Sequence, residues 1–133
     1  MYPYSYLPKP SSATEFYILL VLAGSPLHRY AIKGAVANAS LGSVLLKDGK
    51  LYPLLERLCE EGLVDMIRRA PAGKSGKERQ YYGISGHGKI RLQEEAQRLG
   101  YAVEIMKGLG LFENTVPTDI QRLVLDAKTL PEA

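Results

Sequence analysis

The chain's 133 residues, 46% hydrophobic and 23% charged, suit one ordinary globular domain with a single modest core. The longest apolar run, Phe16 to Ala23, is too short to span a bilayer, and the start MYPYSYLPKPSS lacks the apolar core of a signal peptide. One cysteine, Cys59, excludes an intramolecular disulfide, so a cytoplasmic protein with no membrane partner is expected.

Residues 1–11 combine Tyr, Pro and Ser without an apolar period and read as an arm that need not order by itself. Ser12-Ala13-Thr14-Glu15 is a capping box, in which the Ser12 hydroxyl accepts from the Glu15 amide and the Glu15 carboxylate reaches back. The first helix follows as FYILLVLAG and ends at Gly24. It is apolar nearly all round, so its own domain or a second subunit must cover most of it. Ser25-Pro26 opens a second helix, expected from Leu27 to about Asn38. There Arg29 and Lys33 share an outward face opposite Ile32, Ala35 and Ala39.

Gly42-Ser43 marks a turn, and Asp48 is expected to N-cap a third helix. Leu51, Leu54, Leu55 and Leu58 follow the i, i+3, i+4, i+7 spacing of a buried stripe, and Gly62 supplies the stop. Pro53 removes one backbone hydrogen bond, so a mild kink is expected there rather than a break. On a helical wheel the side opposite the stripe carries Lys50, Pro53, Glu56, Arg57 and Glu60, with Tyr52 at its margin. The exposed face is thus cationic and aromatic toward its N-terminus and acidic toward its C-terminus. That polarity fits a helix entering a groove by its N-terminus, where the dipole attracts phosphate.

Two strands, LVDMIRR and RQYYGIS, flank the loop APAGKSGKE. Residues 68–91 hold seven Lys or Arg against one acid, a net of +6. Residues 1–67 balance at zero and residues 92–133 sum to −3. The cationic field is therefore concentrated on the hairpin, as a phosphate-binding surface requires. Taken alone, a solvated basic loop without a partner accounts for that charge equally well. After the hairpin, Ser85 can cap a long fourth helix. Its Leu92, Ala96, Leu99, Val103 and Met106 are spaced 4, 3, 4, 3, the period of a helix pairing with another helix. Gly108 and Gly110 end it, and Thr118-Asp119-Ile120-Gln121 could start one short helix in the tail.

The expected fold is mainly α with a small β-hairpin, a winged helix-turn-helix followed by a dimerisation helix. The divisions are residues 1–11 as arm, 12–84 as DNA-binding domain, 85–112 as dimerisation helix and 113–133 as tail. No enzyme is expected, and no metal or other cofactor. His28 and His87 lie far apart and lack Cys or acidic neighbours at ligand spacing. No third group orients the Ser85–His87 pair for hydrolysis. Lys74-Ser75-Gly76 is not followed by a helix as a phosphate loop would be, and Cys59 reads as a core thiol.

The segments ILLVLAGSPLHRYAI, DGKLYPLLERLCEEGLV and RQYYGISGHG resemble the PadR family of bacterial and archaeal transcriptional regulators in order and spacing, over roughly residues 14–108. The resemblance rests on the Leu51-Tyr52-Pro53 step, the Glu61-Gly62-Leu63 turn and the Tyr81-Tyr82 strand. It implies a winged-helix domain, a C-terminal dimerisation helix, and repression relieved in some members by a small effector. The chain looks like the short variant with one C-terminal helix. It departs from the family pattern at Arg29, where a glycine is usual, at Ala31 in place of a glutamate, and at Lys50 in place of Ser or Thr.

The resulting expectation is a homodimeric repressor of operator DNA. Lys50, Tyr52 and Arg57 would read bases, while Arg29, Lys33, Lys47, Arg68, Arg69, Lys74, Lys77 and Arg79 would hold phosphates. An apolar or aromatic effector would sit among Phe16, Tyr17, Leu20, Leu99, Val103 and Met106. The rival is a winged helix kept as a protein-interaction module without DNA binding. That rival predicts loss of cations from the helix face and wing, and the chain keeps both.

Overall fold

The computed structural model describes residues 12–69 and 79–112, which form α1 (Ala13–Gly24), β1 (Leu27–His28), α2 (Arg29–Ala39), α3 (Asp48–Glu60), β2 (Val64–Arg69), β3 (Arg79–Ile84) and α4 (Gly86–Gly108). The Ser12 hydroxyl accepts from the Glu15 amide at 3.2 Å, the first half of the expected box. The Glu15 carboxylate is buried and lies 3.9 Å from Arg57 of α3. One face of α1 buries Ile18, Leu19 and Leu22.

The second helix starts later than expected. Leu27 and His28 form a strand instead, antiparallel to β3 in the register Leu27↔Tyr82 and His28↔Tyr81. The sheet therefore has three strands in the order β1-β3-β2, with Val64↔Ile84 through Arg69↔Arg79 on the other side of β3. His28 then N-caps α2, its Nδ1 accepting from the Tyr30 amide at 3.2 Å. Leu41 takes a left-handed φ of 56° after α2, and Gly42, at 79°, donates its amide to the Ala37 carbonyl at 2.8 Å.

Asp48 does not cap α3. The cap is Lys47, without a side-chain hydrogen bond, and Asp48 is the first helical residue. Its carboxylate accepts instead from Lys33 of α2 at 2.8 Å, an electrostatic tie across the helix-turn-helix. α3 runs through Pro53 and buries Leu51, Leu55 and Leu58 completely, each contributing about 1.5–3 kcal/mol. It stops as expected at Gly62, whose φ of 76° lets its own amide reach the Cys59 carbonyl and the Leu63 amide reach the Leu58 carbonyl. The core joins Ile18, Leu19 and Leu22 to Leu27, Ile32, Val36, the three α3 leucines, Val64 and Tyr82.

Ser85 caps α4 by accepting from the Gly88 amide at 3.0 Å, and its hydroxyl donates to the Gly62 carbonyl at 2.5 Å. The start of α4 is thereby fixed to the end of α3. Gly110, at φ 73°, closes α4 as Gly62 closes α3.

Candidate nucleic-acid interface

With its leucines turned inward, α3 exposes Lys47, Lys50, Pro53, Glu56, Arg57 and Glu60, with Tyr52 half-buried at the edge. This is the face the sequence assigns to the groove. Its N-terminal half lies beside the start of α2. Arg29 there places its Cζ 4.9 Å from the Tyr30 ring centroid and 5.2 Å from that of Tyr52. Arg29, Lys33, Tyr52 and Asp48 thus form one junction between the two helices. Lys33 is bound to Asp48, whose hydrogen bond and charge hold the ammonium above the usual lysine range.

Arg57 stands in different company. It is two turns, about 10 Å, along the helix from Lys50. Its guanidinium lies 3.9 Å from both the Glu15 and the Glu61 carboxylates. Glu15 is buried, so Arg57 balances a carboxylate removed from water at the α1–α3 contact.

On the hairpin, Arg68 and Arg79 are exposed, and Arg69 pairs in register with Arg79. Lys74 and Lys77 lie outside the described residues, as do the arm of residues 1–11 and the tail of residues 113–133. Arg79 is also close enough to His28 to affect its titration. Partial burial first, then Arg79 and Arg29, push the His28 pKa below its ordinary value. The base of the wing and the start of α2 therefore share one cationic neighbourhood.

No pattern in the sequence marks Tyr30 or His28 as part of this surface. Tyr30 is 66% exposed, and its hydroxyl accepts from Arg29 Nη2 at 3.0 Å. The His28 ring lies 4.9 Å from the Tyr30 ring and edge-on to Tyr81 at 5.5 Å. The His28-Arg29-Tyr30 run carries this in sequence only as adjacency.

Among the residues assigned to dimerisation, Ala96, Leu99 and Met106 are exposed and Val103 is half-buried. Leu92, half-buried, packs against the core of its own domain. Ile105 and Leu109 add exposed apolar surface at the far end of α4. Of the residues assigned to an effector, Phe16 and Tyr17 meet edge to face at 5.4 Å, Leu20 is exposed, and α1 packs on α4. None of the six lines the open hollow of about 340 Å³ between Leu63 and the first turns of α4.

Cys59 is partly buried, and burial followed by Asp65, Glu56 and Glu60 pushes its thiol pKa up, which disfavours the reactive thiolate. Among the described residues no group of three or more His, Cys, Asp or Glu is placed to hold a metal ion. None of the described helices is long and apolar enough to cross a membrane.

Comparison with known proteins gives the same fold. A PadR-like transcriptional regulator from Bacillus cereus matches with a TM-score of 0.61 and 26% identity, over 74% of this chain and 92% of that one. A PadR family transcription regulator from Clostridium difficile matches with a TM-score of 0.59 and 22% identity, over 74% and 98%. Bacillus subtilis PadR, solved in complex with operator DNA, matches with a TM-score of 0.54 and 18% identity, over 92% of this chain and 62% of that one. No curated protein sequence matches the chain. The family model of the PadR-like transcriptional regulators matches residues 18–94, more than half of the chain. With that match and a winged helix assembled as the family's structures are, the chain belongs to the PadR-like family of transcriptional regulators.

Proposed function

We propose that this regulator is a repressor that binds operator DNA as a homodimer in the cytoplasm. The observation that carries the reading is the surface of α3: a cationic and aromatic N-terminal half raised over the buried Leu51, Leu55 and Leu58, beside a hairpin of concentrated positive charge. The Bacillus subtilis relative bound to operator DNA supports a DNA partner. Residues 12–84 are the DNA-binding unit. Lys50 and Tyr52 read bases, while Arg29, Lys47, Arg68, Arg69, Lys74, Lys77 and Arg79 hold phosphates. Lys33 and Arg57 act more through the helices they tie than through DNA, since each already faces a carboxylate.

Residues 85–112 form the dimerisation helix. The exposed Leu99, Ile105, Met106 and Leu109 supply apolar surface that a second copy would cover. An effector, where one exists, is a flat apolar molecule at the α1–α4 junction. It releases DNA by favouring a dimer geometry that does not fit the operator.

The test is titration of the protein against a labelled duplex carrying the DNA upstream of its own gene, repeated over a range of salt. Binding weakens steeply with salt. Replacing Lys74 and Lys77 with Ala lowers the log–log slope by up to about 3.6 per dimer. A wild-type affinity independent of salt would overturn the reading.

A further inference from the structure

Arg29, Tyr30 and Tyr52 come from two helices and meet at the surface where α2 and α3 begin. An exposed arginine ordinarily samples many rotamers, and binding a phosphate costs it that freedom. Arg29 is held twice. Its guanidinium lies over both tyrosine rings, and its Nη2 donates to the Tyr30 hydroxyl. Tyr30 is itself braced by the His28 ring, and His28 by the buried Tyr81 of β3. A chain of ring and guanidinium contacts, Tyr81–His28–Tyr30–Arg29–Tyr52, thus joins a wing strand to the exposed edge of α3. At 66% exposure Tyr30 buries little of its ring, so its contribution to the core is small.

We propose that Tyr30 is a positioning residue for DNA binding, holding Arg29 against Tyr52 so that the remaining guanidinium donors meet a backbone phosphate beside α3. The inference rests on the reading of the chain as a DNA-binding protein. A preset guanidinium raises affinity without adding charge, because less freedom is lost when the phosphate arrives.

The experiment is an anisotropy titration with two labelled duplexes, one carrying the DNA upstream of the chain's own gene and one of shuffled sequence, over a range of salt. Arg29→Ala is expected to weaken both duplexes and to lower the log–log slope by about 1.8 per dimer, two contacts at about 0.9 each. Tyr30→Ala is expected to weaken both several-fold with the slope unchanged, since the charge remains. In an Arg29→Ala background Tyr30→Ala is expected to cost nothing further. Tyr30→Phe, which loses only the hydroxyl bond, gives a smaller loss of the same sign and preserves the test if Tyr30→Ala unfolds. An unchanged slope in Arg29→Ala overturns the proposal. So does a loss from the Tyr30 substitution that persists without Arg29. Failure of the wild type to bind either duplex overturns the DNA-binding reading itself, and is seen without any variant.

Discussion

Gly88 lies so close to Leu63 that a Cβ on it would overlap the Leu63 carbonyl oxygen and stand 2.6 Å from Ile84 Cγ1. The carbonyl has little room to retreat, because it accepts from the Ser85 amide at 3.1 Å. Gly88→Ala should therefore push α4 away from the α3–β2 corner and destabilise the fold by about 3 kcal/mol. Gly86, two residues earlier, has nothing within 4 Å of such a Cβ. Gly86→Ala should be neutral or stabilising by up to about 1 kcal/mol. Urea unfolding of the two variants checks the contrast, and equal midpoints would mean that the corner yields.

The sequence makes the α3 stripe legible because four leucines repeat at the helical period, and the hairpin because its two strands are separated by a glycine-rich polar loop. β1 is not legible. Two residues cannot display an alternation, and they are extended because β3 offers them an edge. Asp48 has the right chemistry for a cap, but Lys33, fifteen residues upstream, takes its carboxylate. Leu92 fits the heptad spacing, yet spacing does not distinguish a helix packing on its own domain from one packing on a second copy. The Arg29–Tyr52 stack is tertiary and leaves no periodic trace.

The Lys33–Asp48 pair is exposed, so it contributes little to stability, but it neutralises a lysine on the side of α2 that faces α3. Asp48→Asn removes an acid from the proposed DNA surface and frees the Lys33 ammonium. Affinity should rise for operator and shuffled duplex alike, with the salt slope steeper by up to about 1.8 per dimer. A loss of affinity would instead show that the tie sets the angle between α2 and α3.

Leu99 is 50% exposed and Met106 40%, on a helix whose inner side already packs on α1. Charges at these positions are solvated in a single protomer and buried unpaired only when a second copy covers them. Leu99→Glu with Met106→Glu should therefore yield a folded monomer by sedimentation velocity, its circular dichroism unchanged. A dimer that survives both substitutions would place the interface on another surface, such as the exposed Leu41 and Leu45 of the α2–α3 turn.

His28 makes the protein's stability respond to pH in a definite direction. Its Nδ1 accepts from the Tyr30 amide, so the neutral ring carries its proton on Nε2, and protonation of Nδ1 removes the cap. Among the described residues the groups facing the ring are Arg29 and Tyr30 of α2 and Arg79 and Tyr81 of β3, none of which stabilises an imidazolium by opposite charge. Burial, then Arg79 and Arg29, hold the folded pKa below the ordinary 6.5. Between the folded value and 6.5 the unfolded chain binds more protons, so stability rises with pH there. The contribution is complete above about pH 6.5 and is lost as pH falls below that value toward the folded pKa. Thermal unfolding from about pH 7.5 to 5, above most carboxylate titration, should show a larger drop for the wild type than for His28→Asn. Asn can cap α2 without titrating, and His87 is common to both proteins. Parallel curves would mean that the cap survives protonation, with Nδ1 turned away and another group bonding the Tyr30 amide.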